Sequence, residues 1–210
     1  MDDAMAKKAR ASQVKGIQIE GLNNILQLAV QVGNELDQIE IPYCFIGGTA
    51  YQRWGEPRQT TDVDATLFVD FGKERETVKQ LLKVFSARIE NAEAFAVQNR
   101  IALLQSKQGI GIDLSLGALP YESRQISRSS IWQVPGHGGI RTCSAEDLIV
   151  LKSFASRPQD WIDVEKVVIR QGPRLDRILI HEELVPLAEL KEEPEIVEKL
   201  LGLFRKYPSN

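Results

Sequence analysis

The 210-residue sequence has few cysteines, no long apolar segment and no excess of positive charge. Its two cysteines, Cys44 and Cys143, are too few for a disulfide scaffold or for a cysteine-based metal site. No run of about 18 apolar residues occurs, so we predict no membrane-spanning segment. The formal net charge of −3 gives no overall basic surface for nucleic acid, although a local basic groove stays open.

The N-terminal residues 1–13 are polar and mixed in charge, and they lack the apolar core of a secretory signal. Together with the scarcity of cysteine, this pattern predicts a cytoplasmic protein. The apolar content of 43% and the charged content of 26% are typical of a soluble globular protein. A chain of this length can form one domain or two small lobes.

The most informative stretch places two acidic residues, Asp62 and Asp64, at the start of an apolar, β-branched run. Alternate side chains of a strand share a face, so both carboxylates point one way while Val63 and Ala65 point into the core. Two carboxylates about 4 Å apart repel each other by roughly 4 kcal/mol at an effective dielectric of 20. A bound divalent cation removes this repulsion, and hard oxygen ligands suit Mg²⁺.

A glycine pair, Gly47 and Gly48, precedes this strand and is separated from it by the thirteen residues 49–61. The pair lies where a predicted strand at 43–46 meets a predicted short helix at 49–54. Glycines at such a junction let backbone N–H groups approach a phosphate at a helix N-terminus. A phosphate cradle beside metal-binding carboxylates indicates metal–nucleotide chemistry.

Asp113 is a third candidate carboxylate, in a predicted strand whose Ile112 and Leu114 face the opposite way. If this strand lies beside the Asp62 strand, the three carboxylates converge. Three carboxylates can hold two metal ions, the arrangement used for in-line phosphoryl or nucleotidyl displacement. One ion would bind the triphosphate, the other would activate the attacking hydroxyl, and Asp113 could accept its proton.

The rest of the chain divides into a mixed first part and a helical last part. Hydrophobic periodicity predicts helices over 19–36 and 73–89, strands at 101–104 and 110–116, and extended structure over 126–142. From Ser144 onward it predicts four helices, at roughly 145–156, 159–171, 175–189 and 194–206. We therefore predict an α+β fold with a mixed-sheet lobe over 17–142 and a C-terminal helical lobe over 143–210.

Two charged residues of the predicted helical lobe, Lys152 and Asp160, fall inside the apolar stripes of their helices. A lone buried ammonium group is costly. Either Lys152 pairs with Asp160, or its ammonium group points into the cleft toward a phosphate.

These motifs resemble the nucleotidyltransferase superfamily related to DNA polymerase beta. The resemblance rests on the apolar-Gly-Gly-x13-Asp-apolar-Asp pattern, on the later strand carboxylate, and on the run Arg-Gln-Thr-Thr-Asp-Val-Asp over 58–64. That run is similar to the Arg-x-x-Thr-Asp-x-Asp pattern of small bacterial members. The segment 147–163, with Asp-Leu-Ile-Val-Leu-Lys followed by Arg-Pro-Gln-Asp, resembles the abortive-infection, type IV toxin branch.

The resemblance implies a role for each matched position. Asp62, Asp64 and Asp113 would be the catalytic, metal-binding carboxylates, with Mg²⁺ as the cofactor, two ions per site, and Mn²⁺ as an alternative. The NTP would contact Gly47, Gly48, Thr49, Arg58 and Lys152. An alternative role for Arg58 is to stabilise the loop that contains it. Asp160 and Asp163 would belong to a second motif whose roles the resemblance leaves open.

We predict an enzyme that moves a nucleoside monophosphate from an NTP to a hydroxyl of tRNA, of a protein or of a small molecule. It would be the toxin of a toxin–antitoxin pair, with an antitoxin-type partner. One alternative is a non-enzymatic interaction protein of such a system, although intact carboxylates argue against it. Another is an Asp-x-Asp glycosyltransferase, which a sugar-nucleotide binding test would reveal.

Overall fold

The computed structural model describes residues 22–208. The polar N-terminal segment, the start of the predicted lobe at residue 17 and the first residues of the predicted 19–36 helix lie outside this range. Within it, no helix is long and apolar enough to cross a membrane.

A mixed β-sheet forms the centre of the described chain. Its strands are β1 (Tyr43–Phe45), β2 (Asp62–Phe68), β3 (Ser86–Ala87), β4 (Ile101–Gln105), β5 (Gly111–Gly117), β6 (Ser130–Val134) and β7 (Gly138–Thr142). They lie in the order β3-β4-β5-β2-β1-β7-β6. The β2–β5 and β1–β7 pairs are parallel, and the other neighbours are antiparallel. Because β2 and β5 run in the same direction, both strands begin at the same edge of the sheet.

Helices cover both faces of the sheet. They are α1 (22–38), α2 (Gly47–Trp54), α3 (Glu74–Val84), α4 (Ala92–Asn99), α5 (Pro120–Ser127), α6 (Ala145–Ala155), α7 (Pro158–Gln171), α8 (Arg177–Leu190) and α9 (Glu195–Lys206). A single 3₁₀ turn, Gly172–Arg174, lies between α7 and α8.

Two apolar clusters flank the sheet. The first joins α1 and α3 to one face, where Val63, Ala65 and Leu67 of β2 are fully buried. The second joins α2, α5 and the C-terminal helices to the other face, and Cys44 and Cys143 belong to it. Since side chains alternate along β2, its two aspartates share the face opposite the first cluster. The carboxylates therefore lie on the side that the C-terminal helices cover.

The predicted α+β class with a mixed sheet followed by C-terminal helices is confirmed. The predicted helix over 73–89 is wrong at its end, because α3 stops at Val84. The next residues leave the helix and form β3, in which Ser86 pairs with Gln105 of β4. Strand pairing thus supplies the backbone hydrogen bonds that a longer helix would have made.

The extended structure predicted over 126–142 is a β6–β7 hairpin, but its first residues belong to α5, which the periodicity did not predict. Two local signals start this helix. Pro120 occupies its first turn, and the Glu122 side chain accepts a hydrogen bond of 2.8 Å from the Leu119 backbone N–H. The periodicity gave no prediction for the residues that form α4 either.

Candidate active site

Three carboxylates meet where β2 and β5 begin. Asp64 lies directly opposite Asp113 in the parallel register, and Asp62 lies opposite Gly111. One carboxylate oxygen from each of the three aspartates lies within 4.8 Å of the others, and all three residues are half-buried. Convergent, partly buried carboxylate oxygens fit a hard divalent cation, whose charge would offset their mutual repulsion.

Electrostatic crowding is strongest at Asp64. Burial, and then the charges of Asp62 and Asp113, raise the pKa of Asp64 to about 6. A hydrogen bond from the Gly48 backbone N–H and the charge of Lys152 act in the opposite direction. Burial also raises the pKa of Asp113, with Arg88 opposing the change and Asp62 adding to it. The cluster is thus short of positive charge, as expected of a cation-binding site.

The glycine pair packs directly against this cluster at the start of α2. Gly47 has a φ of +52°, in the left-handed region, and a Cβ there would overlap the Asp64 carboxylate. A Cβ on Gly48 would overlap the Thr60 hydroxyl. Close approach of the backbone to Asp64 therefore requires glycine at Gly47. An anion at the α2 N-terminus would adjoin the carboxylates.

The side chain of Thr49, a residue predicted to contact the triphosphate, does not reach the cleft. The residue is fully buried, and within the described residues its hydroxyl has no hydrogen-bond partner. Because α2 begins at Gly47 rather than at the predicted residue 49, Thr49 already lies within the first turn and faces inward. Its side chain therefore lies away from the cleft.

Lys152 ties α6 to α7 and also forms part of the cleft wall. Its Nζ lies 3.1 Å from Asp160 Oδ1 and 2.6 Å from Asp163 Oδ2. The hypothesis that Lys152 pairs with Asp160 is confirmed, and Asp163 is a second, closer partner. Arg58 also binds Asp163, through Nε at 3.0 Å and through a terminal nitrogen at 2.7 Å.

Both acceptor carboxylates are held ionised. Burial alone would raise the pKa of Asp163, but hydrogen bonds from Arg58 and Lys152 outweigh it and lower that pKa. The pKa of Asp160 is lowered in the same way, where hydrogen bonds from Arg157 and Lys152 outweigh burial. Asp163 has no exposed surface, so it lies behind the cleft wall, where it binds Arg58 and Lys152.

The carboxylates, the glycine turn and the cations enclose one cleft of about 400 Å³. Its walls are formed by Gly47, Gly48, Arg58, Gln59, Thr60, Thr61, Asp62, Asp64, Asp113, Lys152, Arg157, Gln159 and Asp160. The sheet supplies the acidic wall, and α6 and α7 supply Lys152 and Arg157 opposite it.

Sequence reasoning did not identify three further polar residues of this region. Arg88 donates a hydrogen bond of 2.6 Å to Asp113, Arg157 one of 2.6 Å to Asp160, and Gln159 one of 2.9 Å to Asp163. Arg157 and Gln159 lie within the matched 147–163 segment, so their proximity to the motif was a usable signal. No such signal was available for Arg88, because the sequence predicted that this residue lies at the end of a helix.

Solved structures of other proteins share this fold. The chain is similar to an antigenic nucleotidyltransferase-like protein from Paracoccidioides brasiliensis, with a TM-score of 0.52, 18% identity, and coverage of 84% of this chain and 92% of that one. It is also similar to the antibiotic-resistance factor ANT(2'')-Ia, with a TM-score of 0.53, 14% identity, and coverage of 87% and 98%. These likenesses establish a nucleotidyltransferase fold. No match to a curated protein sequence accompanies them.

The family follows from the sequence of the chain itself. Residues 35–205 match the family described as nucleotidyl transferase AbiEii toxin, type IV TA system. The chain belongs to this family and is a nucleotidyltransferase. This assignment gives no support to the glycosyltransferase alternative.

Proposed function

We propose that the protein uses Mg²⁺ to transfer a nucleoside monophosphate from an NTP to a hydroxyl acceptor, with release of pyrophosphate. The observation that carries this proposal is the convergence of Asp62, Asp64 and Asp113 against the Gly47–Gly48 turn. In the proposal these carboxylates hold two divalent ions, which when bound neutralise charge on the triphosphate and activate the acceptor hydroxyl.

The NTP would bind through the start of α2 and the opposite wall of the cleft. The Gly47–Gly48 turn and the positive end of the α2 dipole favour phosphate oxygens there. Lys152 and Arg58 face the same cleft, and Asp160 and Asp163 hold these cations in place. We assign Lys152 and Arg58 to phosphate binding. Asp160 and Asp163 are then positioning residues that act through them.

In the proposed reaction, the acceptor oxygen attacks the α-phosphorus of the NTP and forms a new P–O bond. The bond between the α-phosphorus and the oxygen bridging to the β-phosphorus breaks, and its electron pair leaves with pyrophosphate. Asp113 accepts the proton of the acceptor hydroxyl. Positioning and charge stabilisation dominate such transfers.

In this proposal, both lobes contribute residues to the active site. The lobe over 17–142 carries the carboxylates and the glycine turn, and the lobe over 143–210 carries Lys152 and its acidic partners. Because the family is one of type IV toxins, we propose that the protein is the toxin of a toxin–antitoxin pair and has an antitoxin-type partner. The proposed acceptor is a hydroxyl on tRNA, on a protein or on a small molecule.

The test uses purified protein, Mg²⁺ and each of four α-labelled NTPs, with and without a tRNA pool. We expect label in RNA or in protein, and we expect it to disappear in the Asp62→Asn/Asp64→Asn double variant. The matched control is Asp70→Asn, an exposed aspartate beyond the other end of β2, which should retain transfer. Transfer that persists in the double variant would refute the proposed site.

A further inference from the structure

Arg88 lies in one row of paired residues with two of the site carboxylates. Its backbone N–H donates to the Leu103 carbonyl at 3.0 Å, Leu103 pairs with Asp113, and Asp113 pairs with Asp64. Residues paired across neighbouring strands point to the same face. The Arg88 side chain therefore shares the face of the carboxylates, and it reaches across Leu103 to place a terminal nitrogen 2.6 Å from Asp113 Oδ1.

Within residues 22–208, the sheet face around Arg88 is open. We call the residues Ser86, Arg88, Leu103 and Gln105 the β3–β4 strip. Ser86 and Arg88 are exposed, and Leu103 and Gln105 are half-buried. The helices that pack on this face, α2 and α5, contact β2 and β1, on the far side of β5. The strip is thus an accessible surface that leads directly to Asp113.

Strand order separates the two sides of the site. The Gly47–Gly48 turn lies against Asp64 of β2, and β4 lies on the other side of Asp113. If the triphosphate occupies the glycine side, an acceptor hydroxyl near Asp113 must approach over β4 and β3. The β3–β4 strip is therefore the side from which the second substrate arrives.

The charges on this side favour an acceptor that carries a phosphate. Within 86–88, β4 and β5, Arg88 is the one positively charged residue and Asp113 the one acidic residue. About a third of the Arg88 side chain, 34%, is exposed. Among the described residues, only one of its three guanidinium nitrogens makes a side-chain hydrogen bond. Two nitrogens therefore remain for the planar, forked contact that arginine makes with phosphate.

A nucleic-acid end matches this arrangement better than a protein hydroxyl does. In an RNA 3′ end, a phosphate lies one sugar away from the terminal hydroxyl, so a cation beside Asp113 can bind it while the hydroxyl faces the carboxylates. A serine or tyrosine hydroxyl brings no such anion. Resting on the function proposed above, we propose that the β3–β4 strip binds an RNA 3′ end, with Arg88 on the phosphate next to the attacked hydroxyl.

The experiment compares Arg88→Gln and Arg88→Lys with wild-type protein and uses a bulk tRNA pool as the probe. Arg75→Gln is the matched control, since Arg75 is exposed on α3 and pairs with Glu93 away from the cleft. Binding of tRNA is measured without divalent metal across a range of salt concentrations, and the KM values for tRNA and NTP are measured with Mg²⁺.

We expect Arg88→Gln to weaken tRNA binding and to raise the KM for tRNA about tenfold, as loss of a charged hydrogen bond does. The slope of log affinity against log salt should fall in magnitude by about 0.7–1, the contribution of one phosphate contact. The KM for NTP should stay within about twofold, Arg88→Lys should fall between wild type and Arg88→Gln, and Arg75→Gln should match wild type.

Each outcome bears on one proposal or the other. Unchanged tRNA affinity and salt slope in Arg88→Gln would overturn the proposal, even if turnover fell, because Arg88 would then act only on Asp113. Label on protein but none on tRNA would also overturn it, while leaving the nucleotidyltransferase proposal standing. Binding of tRNA that depends on Arg88, without transfer from any NTP, would support the strip and count against the proposed reaction.

Discussion

Lys152 and Asp163 form a buried ion pair, with 2.6 Å between Nζ and Oδ2 and side-chain exposures of 7% and 0%. The pair joins α6 to α7, and Asp160 accepts a second hydrogen bond from the same ammonium group. Because Lys152 also borders the cleft, its replacement should affect stability as well as nucleotide binding. A buried pair adds little net stability when complete, but it is expensive to leave half-complete.

Lys152→Met should therefore lower the free energy of unfolding by about 2 kcal/mol at neutral pH, because two buried carboxylates lose a charged hydrogen bond each while Arg58 and Arg157 remain bound to them. Urea unfolding measures this loss. Lys166→Met is the control, because the pair of Lys166 with Glu56 is exposed and should contribute about 0–1 kcal/mol. Equal effects of the two substitutions would show that the Lys152 pair is not buried in solution.

The same pair has a defined pH dependence. The folded-state pKa values of Asp160 and Asp163 are lowered, so their stabilising contribution is complete above the ordinary value of 3.8. It is lost as the pH falls below that value and through the lowered folded-state pKa. The difference between wild type and Lys152→Met should consequently shrink in strong acid.

Asp64 should behave in the opposite way. Its folded-state pKa of about 6 lies above the ordinary 3.8, so its ionised form destabilises the folded protein at pH 7.5 when no metal is bound. Asp64→Asn should raise the free energy of unfolding by about 2–3 kcal/mol in EDTA at that pH. Wild type should regain the difference as the pH falls from about 6 toward 4, while the control Asp70→Asn stays near wild type.

Urea unfolding at pH 7.5 and pH 4.5 measures both halves of this prediction. An Asp64→Asn variant less stable than wild type at pH 7.5 would contradict the crowding of the three carboxylates. Addition of Mg²⁺ at pH 7.5 should stabilise wild type but leave Asp64→Asn little changed, because a ligand that binds only the folded state shifts unfolding by mass action.

The local pattern of apolar and polar residues was enough to predict much of the fold. Alternation along β2 predicted which side chains enter the core, and Val63 and Ala65 are buried as expected. The apolar period in the last third predicted four helices, and all four occur within two residues of the expected bounds. Short elements were not predicted. The two-residue strand β3, for example, exists only through its pairing with β4, a contact between residues distant in sequence.

Some residues of the candidate site could likewise be predicted from local sequence, and others could not. The sequence placed Asp62 and Asp64 on one strand, but the neighbouring position of Asp113 depended on strand order, which the structure supplies. Arg88 could not be found by pattern, because only the sheet register brings it to Asp113. The functional roles of these residues stay predictions, and the variants proposed above test them.

The close contact between Gly47 and Asp64 makes a side chain at that position incompatible with the site. Gly47→Ala should abolish Mg²⁺-dependent transfer, because its Cβ would displace the Asp64 carboxylate and its φ of +52° is unfavourable for alanine. Gly109→Ala is the matched control, since Gly109 has a φ of +79° but no atom near its would-be Cβ. Both variants should lose about 1 kcal/mol of stability from backbone strain.

Activity assays and urea unfolding on the same preparations separate the two effects. If Gly109→Ala lost transfer as fully as Gly47→Ala, general destabilisation would explain the loss. If Gly47→Ala kept wild-type turnover, the turn would not lie against Asp64 in the active protein, and the proposed phosphate site at the α2 N-terminus would have to be abandoned.

Arg128 joins three helices through a second buried ionic group, away from the cleft. It binds both oxygens of Asp147 on α6, at 3.0 and 2.6 Å, and one oxygen of Glu183 on α8, at 2.8 Å. Asp147 is 1% exposed and Glu183 is 5% exposed, so neither carboxylate can turn to water. The pKa of Arg128 is raised, first by its hydrogen bonds to Asp147. This residue thus fixes α5 to the C-terminal helices.

Arg128→Met should lower the free energy of unfolding by about 3–5 kcal/mol, since Asp147 loses the arginine that binds both of its oxygens. Arg124→Met is the matched control, because Arg124 is half exposed and Glu183 keeps Arg128 after its removal. That variant should lose about 0–1 kcal/mol. Urea unfolding of the two variants distinguishes these values. Similar small losses would mean that Asp147 reaches water in solution, and that α5 does not depend on Arg128 for its position.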